Sequence, residues 1–233
     1  MKSRLLTRRL VERQTISVDK LLGKIRRMRV AAIVFIALLM GSTESRAQPL
    51  SVEATLDALG NDRSLGMKRA PVSVVEFSDF LCSYCRKFWA NTLPKLKDVY
   101  VKQGKVRFAY RHFAILGKLS KQAALASECA AEQGKFWDYH DKLFLSRGGL
   151  AFTQPKLEEY GAALGLKEAN FKDCLRTGKY RKKVEGETAV ATSLGARATP
   201  TFFVNGRLMV GAQPFTAFQA VIEEELKRKA TVK

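Results

Sequence analysis

Apolar and polar positions between residues 72 and 113 predict a strand, a helix and a second strand. The segment VSVVEF at 72–77 is short, β-branched and almost wholly apolar, which is typical of a buried strand. Residues 83–104 have the pattern of a long helix, which Pro94 should kink because proline lacks an N–H donor. Residues 105–113 alternate as a strand should, with Val106, Phe108 and Tyr110 on one face and Arg107 and Arg111 on the other. Two strands joined by a helix imply parallel pairing.

The rest of the pattern adds a block of helices, a hairpin and a final helix. From about residue 120 to residue 193 the chain is almost entirely helical in pattern, with Ala-rich and charged stretches interrupted by glycine. The segment TPTFFVNGRLMVG at 199–211 predicts two strands joined by an Asn-Gly turn. Residues 214–228 form an amphipathic helical pattern. This order predicts an α/β fold in which a mixed central sheet has helices on both faces.

The first 47 residues predict a signal peptide. An 11-residue apolar run at 30–40 follows several arginines, and Ser45 and Ala47 have the small-residue spacing of a signal-peptidase site. A membrane span needs about 20 apolar residues, so we expect cleavage after Ala47, with an uncleaved anchor as the alternative. Met28 could be the true start, because it begins a complete short signal.

The net charge of +19 says little about function once it is located along the chain. Residues 1–47 carry 11 Lys+Arg against 3 Asp+Glu, which is +8 of the total. In the rest of the chain basic and acidic residues are interspersed, without a dense basic stripe that contains aromatic residues. No nucleic-acid partner is therefore predicted, whereas attraction to an acidic partner or an anionic membrane surface stays open.

The candidate chemistry lies in EFSDFLCSYCRKFW, residues 76–89, where Cys82 and Cys85 are three positions apart. Cys82 comes where the strand ends and the helix begins, and the free N–H groups and the dipole of a helix start stabilise a thiolate. Cys85 lies one turn further along the same face, so the two sulfurs can form a small, labile disulfide. The first thiol would attack and the second would resolve the mixed disulfide.

Two other interpretations of the pair are weaker. A zinc site needs four ligands, but Cys129 and Cys174 are 45 positions apart and only two histidines are present, so no metal is expected. A purely structural Cys-x-x-C bridge would close almost no loop and would constrain the unfolded chain little. Redox chemistry is therefore favoured. Export would permit disulfides, and four cysteines can pair in three ways.

Three motifs together resemble the DsbA-like thiol-disulfide oxidoreductases of the thioredoxin superfamily: VVEFSDFLCSYC, CAAEQGKFWDYH and ATPTFFVNG. The resemblance covers roughly residues 70–228. It implies a thioredoxin fold with an inserted all-helical block, acting on substrate disulfides outside the cytoplasm without a cofactor. The expected divisions are an N-terminal arm at 48–70 and a thioredoxin-like domain at 71–233, with the insertion at about 117–193.

The resemblance assigns roles to further residues. Pro200 would be a cis-proline facing the redox pair, with an ordinary trans proline as the alternative. A cis bond there would offer the backbone of Thr199 to an extended substrate peptide. Glu76 lies within an apolar strand, which should raise its pKa, and it would exchange a proton with Cys85. A partly solvated or lysine-paired Glu76 is the alternative, and Asp79 is expected to be a turn or cap residue.

Cys129 and Cys174 both lie in the helical block, where some relatives carry a second, non-catalytic disulfide. The resemblance therefore implies a structural Cys129–Cys174 bridge, with two free buried thiols as the alternative. Closing this loop would stabilise the fold by roughly 4 kcal/mol in the chain-entropy model. His112 and His140 are predicted to be packing or surface residues.

The direction of electron flow stays open at this level. Ser83 and Tyr84 stand between the cysteines, where many relatives have proline first, and Thr199 resembles the choice made by isomerases and reductases. The arm is short for the N-terminal domain through which such isomerases dimerise. A monomeric oxidase is the first prediction, and an isomerase or reductase is the second. The rival class is a soft-metal-binding protein or a chaperone, although no Met or His lies beside the pair.

The expected partners and location follow from the resemblance and the signal pattern. Cysteine-containing exported proteins would be the substrates, and a membrane or soluble redox partner would reset the pair. The expected location is the periplasm or another extracytoplasmic compartment, after the signal peptide has been removed.

Overall fold

The computed structural model describes residues 51–60, 62–147 and 150–231. The predicted signal peptide at 1–47 and its cleavage site lie outside the described residues. Within the described ranges, no helix is both long enough and apolar enough to cross a membrane.

A five-stranded mixed sheet, in the order β1-β3-β2-β4-β5, runs through the described part of the chain. Its strands are β1 (Ser64–Leu65), β2 (Val72–Ser78), β3 (Val106–His112), β4 (Thr201–Val204) and β5 (Arg207–Val210). β2 and β3 are parallel, as the sequence predicts, and the other neighbouring strands are antiparallel. The β4–β5 hairpin turns at Asn205 and Gly206, whose φ angles of 44° and 83° suit the turn that Asn-Gly favours. The predicted mixed sheet is confirmed.

Helices pack on both faces of this sheet. In chain order they are α1 (Val52–Ala58), α2 (Ser83–Asn91), α3 (Leu93–Leu96), α4 (Lys118–Ala131), α5 (Phe136–Leu145), α6 (Gln154–Ala163), α7 (Glu168–Thr177), α8 (Arg181–Ser193) and α9 (Phe215–Thr231). A π-helical segment, Lys97–Val101, follows α3. Helices α4 to α8 connect β3 to β4 and make up the helical block.

The sheet buries apolar side chains on both faces, which explains why β2 is almost wholly apolar. Val74 points to one face, where it joins Phe88 of α2 and Phe218 of α9. Phe77 points to the other face, where it joins Ala191 of α8. Each buried side chain of this size contributes about 1.5–3 kcal/mol relative to exposure. β2 is therefore held firmly between two helical layers, and it fixes the position of the turn that follows it.

The helix predicted over 83–104 is interrupted, which goes beyond the predicted kink. α2 ends at Asn91, and Thr92, with φ −108°, separates it from α3, whose first turn contains Pro94. Proline has no N–H to donate, and its ring clashes with the carbonyl group four residues earlier in a continuous helix. The interruption leaves α2 as a helix of nine residues that starts at the redox pair.

The N-terminal arm contributes a strand that the sequence pattern does not predict. β1 pairs antiparallel with β3, where Leu65 lies opposite Phe108. A strand of two residues is too short to show a period of polarity, so only its pairing reveals it. Arg63, directly before β1, has a positive φ of 62° and is buried. The arm therefore completes one edge of the sheet.

Arg111 lies on the face of β3 opposite Tyr110, as the alternation predicts, but it is only 1% exposed. Its guanidinium donates to the carbonyl oxygens of Tyr110 at 2.8 Å and Leu59 at 3.2 Å, and also to that of Gly60. Backbone acceptors of the arm thus allow a charged side chain to be buried on this face. His112 and His140 are fully buried, so neither is a surface residue.

Candidate active site

A turn after β2 places Cys82 at the start of α2. The Asp79 carboxylate accepts the N–H of Leu81 at 2.9 Å, and the Asp79 carbonyl accepts the N–H of Cys82 at 3.0 Å. Cys82 is the N-cap residue of α2, and its sulfur accepts the N–H of Cys85 at 3.4 Å. The sulfur therefore lies at the positive end of the helix, where a thiolate is stabilised. Asp79 is a turn residue, as the sequence indicates.

The Cys82 thiol is arranged to lose its proton. A hydrogen bond from the Cys85 thiol is the largest cause that lowers the pKa of Cys82 to about 6. Burial opposes this shift, while hydrogen bonds with the Thr199 side chain and with the N–H groups of Cys85 and Tyr84 add to it. Cys82 is 8% exposed, whereas Cys85 is 0% exposed. Cys82 is therefore the sulfur that a substrate can reach.

The Cys85 thiol has the opposite acidity. Burial raises the pKa of Cys85 well above its ordinary value, and the hydrogen bond to Cys82 and the negative charges of Glu76 and Cys82 raise it further. The N–H of Asp79, whose nitrogen lies 3.5 Å from the Cys85 sulfur, acts in the opposite direction. At neutral pH the buried sulfur keeps its proton while the accessible one ionises.

Glu76 lies in the middle of β2 and is 1% exposed. Burial is the main cause that raises the pKa of Glu76 from 4.5 to about 8; the charge on Cys82 adds to it, and the nearby Ser78 hydroxyl opposes it. The solvated and lysine-paired alternatives do not apply, because the side chain is in the interior and no lysine of the described ranges pairs with it. A carboxyl group with a pKa near 8 can hold or release a proton close to neutral pH.

The loop before β4 brings Thr199 and Pro200 to the sulfurs. The Thr199–Pro200 peptide bond is cis, and the Thr199 carbonyl oxygen accepts a hydrogen bond from the Cys82 thiol at 3.2 Å. This contact joins residues 117 positions apart in the sequence. The Pro200 carbonyl accepts the N–H of Gly211 at 2.8 Å, so the hairpin holds the loop in place.

Exposed apolar side chains lie next to this centre. Tyr84, which stands between the two cysteines, is 61% exposed. Ile115 and Leu116 are 42% and 49% exposed, and their N–H groups donate to the Asp79 carboxylate at 2.9 and 3.0 Å. The turn that carries Cys82 thus contacts a segment that exposes two apolar side chains.

Known proteins are similar to this chain in sequence and in fold. Residues 58–224 match the thioredoxin family model. Over 178 residues the chain is 32% identical to disulfide bond formation protein D of Bacillus subtilis, an alignment that covers 71% of this chain and 77% of the relative. This chain is a DsbA-like thiol-disulfide oxidoreductase of the thioredoxin superfamily. The family suggested by the three motifs is confirmed.

Solved structures support the assignment of this chain to the DsbA-like enzymes. The oxidised crystal structure of BdbD from Bacillus subtilis has a TM-score of 0.67 at 30% identity, over 72% of this chain and 94% of that one. The crystal structure of Wolbachia pipientis α-DsbA1 has a TM-score of 0.65 at 26% identity, over 73% and 94% of the two chains. The predicted thioredoxin fold is therefore confirmed as well.

The other two cysteines of the DsbA-like enzyme form a disulfide inside the helical block. Cys129 of α4 and Cys174 of α7 are joined with an S–S distance of 2.05 Å and a Cα–Cα distance of 5.9 Å. Both residues are buried. The bond ties two helices of the block together and leaves Cys82 and Cys85 as free thiols.

Sequence reasoning overlooked two contributions to this DsbA-like site. Tyr110 of β3 is the register partner of Glu76 and is fully buried. Asp79, besides forming the turn, accepts the hydroxyl of Ser120 at 2.5 Å and so reaches the first helix of the block. The polarity of each strand gives no register between strands, so the pairing of Glu76 with Tyr110 becomes visible only in the sheet.

Proposed function

We propose that this DsbA-like enzyme is an exported oxidase that transfers a Cys82–Cys85 disulfide to cysteine pairs of substrate proteins. The observation that carries the proposal is the position of the Cys82 sulfur at the start of α2, where hydrogen bonds lower its pKa to about 6. At pH 7 about nine-tenths of the reduced enzyme would then carry a Cys82 thiolate. Stabilising the reduced form makes the disulfide form a stronger oxidant.

The reaction would run in two exchange steps. A substrate thiolate attacks the Cys82 sulfur of the enzyme disulfide, the S–S bond breaks, and its electron pair leaves on Cys85 while a mixed disulfide forms. A second substrate thiolate attacks the substrate sulfur of the mixed disulfide, and Cys82 leaves as a thiolate. The substrate loses two electrons and gains one disulfide, and the enzyme keeps two reduced cysteines.

Glu76 would provide the proton that the first step requires. Cys85 is a poor leaving group as a buried anion, because burial raises its pKa well above the ordinary value. Glu76, with a pKa of about 8, is mostly protonated at pH 7 and can pass its proton to Cys85 as the bond breaks. When the pair is oxidised again, the Glu76 carboxylate would take a proton from Cys85.

Thr199 and Pro200 would position the substrate beside the sulfurs. An extended peptide can pair with exposed backbone as an added strand, and the half-buried Thr199 lies directly beside Cys82. The exposed side chains of Tyr84, Ile115 and Leu116 would contact apolar residues of a substrate that has not finished folding. The substrates would accordingly be cysteine-containing exported proteins in unfolded form.

The cellular setting completes the proposal. The signal pattern at 1–47 predicts export, and protein disulfides persist in oxidising compartments such as the periplasm. Each turnover leaves two electrons on the enzyme, so a membrane or soluble redox partner must remove them. We expect the enzyme to act as a monomer.

Equilibration against glutathione buffers tests the direction of electron flow. The redox state of the Cys82–Cys85 pair is measured by alkylation and mass spectrometry across a range of buffer ratios. An oxidase should have a reduction potential near that of strong oxidants, about −120 mV, whereas a value near that of thioredoxin, about −270 mV, would contradict the proposal and indicate a reductase.

Disulfide transfer to a substrate tests the enzymatic proposal itself. The oxidised enzyme, mixed with a reduced, unfolded protein that contains two cysteines, should form the substrate disulfide, and Cys82→Ser should abolish the transfer. Absence of transfer by the unmodified enzyme would favour the soft-metal-binding or chaperone alternative.

Isomerase or reductase activity is the second candidate, and Thr199 is the residue that favours it. Threonine directly before the cis-proline resembles the choice made by isomerases and reductases. A substrate with scrambled disulfides distinguishes the candidates, because an isomerase would restore native pairing without net oxidation.

A further inference from the structure

Three buried polar atoms near Cys85 have no hydrogen-bond partner among the described residues: Glu76 Oε1, Ser78 Oγ and the Tyr110 hydroxyl. All three side chains belong to residues that are at most 1% exposed. Buried polar groups are nearly always hydrogen-bonded, because an unsatisfied one costs about 1–3 kcal/mol. Three such groups beside one redox thiol make the folded state less stable. Buried polar groups in unfavourable surroundings concentrate at functional sites.

The sheet places these groups side by side. Glu76 and Tyr110 are register partners in the parallel β2–β3 pair, and Ser78 lies two residues along β2, on the same face as Glu76. The Tyr110 ring stacks on Phe80 with ring centroids 5.3 Å apart and meets His140 edge-on at 5.1 Å. These contacts hold the ring, so its hydroxyl stays in the interior with Glu76 and Cys85.

We propose that Tyr110 and Ser78 are positioning residues that connect Glu76 with Cys85 as a proton path. The inference rests on the proposed function, in which Glu76 exchanges a proton with Cys85. A hydroxyl group donates one hydrogen bond and accepts others, so it can pass on one proton while it receives another, directly or through water. The Tyr110 hydroxyl would also donate to the Glu76 carboxylate that remains after the transfer.

The surrounding charges suit this role. Burial above all, with the charges of Glu76 and Cys85, raises the pKa of Tyr110 well above its ordinary value, so Tyr110 stays a neutral hydroxyl at working pH. Ser78 lowers the pKa of both Glu76 and Tyr110, as expected of a hydroxyl that interacts with both. The titratable groups that face this cluster are Cys82 and Cys85 from α2, Asp79 from the turn, His112 from β3 and His140 from α5.

The protons and electrons balance in the first exchange step. The electron pair of the broken S–S bond moves to the Cys85 sulfur, and one proton moves from the Glu76 carboxyl group to that sulfur through the hydroxyls. Each hydroxyl gives up one proton and gains one, so it is unchanged at the end. The negative charge that entered with the substrate thiolate then resides on Glu76.

Tyr110→Phe tests the inference, because it removes one oxygen atom and keeps the ring. The oxidised enzyme is mixed with reduced glutathione, and opening of the Cys82–Cys85 disulfide is timed from pH 6 to pH 9, corrected for the ionised fraction of glutathione. We expect opening to slow about tenfold at pH 7. The midpoint due to Glu76 should move to higher pH, because its carboxylate loses a donor. Ser78→Ala should shift the midpoint in the same direction by less.

Tyr139→Phe is the matched control. Tyr139 is fully buried in the same apolar cluster as Cys85, but its hydroxyl donates to the Leu157 carbonyl at 2.7 Å. This variant should unfold at a lower temperature and keep the pH profile of the unmodified enzyme. Profiles of Tyr110→Phe and Ser78→Ala that superimpose on that of the unmodified enzyme would overturn the inference.

Glu76→Gln separates this inference from the proposed function. If it flattens the pH profile while Tyr110→Phe and Ser78→Ala leave the profile unchanged, only the proton path is wrong. If Glu76→Gln also has no effect, the proton role of Glu76 in the proposed function is wrong as well.

Discussion

Cys82 and Cys85 differ in acidity because one sulfur lies at a helix end and the other lies inside the core. The Cys82 sulfur receives hydrogen bonds that persist when it becomes a thiolate, above all from Cys85. The Cys85 sulfur has been removed from water, which penalises its anion. A spacing of three residues is thus enough to separate an attacking thiolate from a thiol that holds its proton.

The ionisation of Cys82 should be measurable and should depend on Thr199. In the reduced enzyme, alkylation of Cys82 by iodoacetamide should follow a pH midpoint near 6. Thr199→Val keeps the side-chain shape but removes a hydrogen bond to the thiolate, so the midpoint should rise. Thr201→Val is the control, because the Thr201 hydroxyl donates to the Ala198 carbonyl instead. Equal midpoints in all three proteins would exclude a direct role for Thr199.

Glu76 should make the folded enzyme less stable as the pH rises. Between its ordinary pKa of 4.5 and its folded pKa of about 8, the folded state keeps a proton that the unfolded state releases. The stabilising contribution is therefore complete below pH 4.5 and declines up to pH 8, by about 1.4 kcal/mol per pH unit. Urea unfolding of both reduced proteins at pH 5 and at pH 8 measures this effect. From pH 5 to pH 8, the free energy of unfolding should fall much less for Glu76→Gln than for the unmodified enzyme. The same loss in both proteins would contradict the raised pKa.

Among the elements, the arm, the sheet and the helical block meet at a buried ionic network. Arg63, before β1, lies 2.5 Å from the Glu128 carboxylate of α4, and it also pairs with Glu187 of α8. The same two carboxylates accept hydrogen bonds from His112 of β3, at 2.8 Å each. Removing one partner from such a network leaves an uncompensated charge in the interior. The network therefore specifies how three parts of the fold fit together.

Arg63→Met should destabilise the enzyme by about 3–5 kcal/mol, because two buried carboxylates lose the guanidinium that joins them, although Lys183 still pairs with Glu128. Arg207→Met is the control, since Arg207 pairs with Glu224 on the surface, where solvent screens such pairs and they contribute little to stability. Chemical unfolding of both variants gives the comparison. A loss as small for Arg63→Met as for Arg207→Met would show that the network contributes little.

The elements that the sequence predicts are those long enough to show a period. β2, the hairpin at Asn205-Gly206 and α9 follow from local pattern and turn chemistry alone. β1 does not, because two residues show no period, and the burial of Arg111 depends on backbone acceptors of a distant segment. The residues of the candidate site show the same difference between local and long-range signals. The cysteine spacing is visible in the sequence, whereas Tyr110 and Ser78 acquire their place from strand register.

For the whole chain, the export prediction can be tested directly. The apolar run at 30–40 and the small residues before Gln48 predict that the exported enzyme begins at Gln48. N-terminal sequencing of the exported protein measures this. Ala47→Leu should block cleavage, because the peptidase site needs a small residue at that position. An intact N-terminus in the exported protein would contradict the prediction.

Asp79 connects the redox turn to the helical block at one carboxylate. It binds the N–H groups of Ile115 and Leu116 and the hydroxyl of Ser120, while its own N–H faces the Cys85 sulfur. The block therefore leaves the sheet at a point that is fixed relative to the sulfurs. The later helices of the block can therefore vary in sequence, during evolution or by design, while the point at which the block joins the redox turn stays the same.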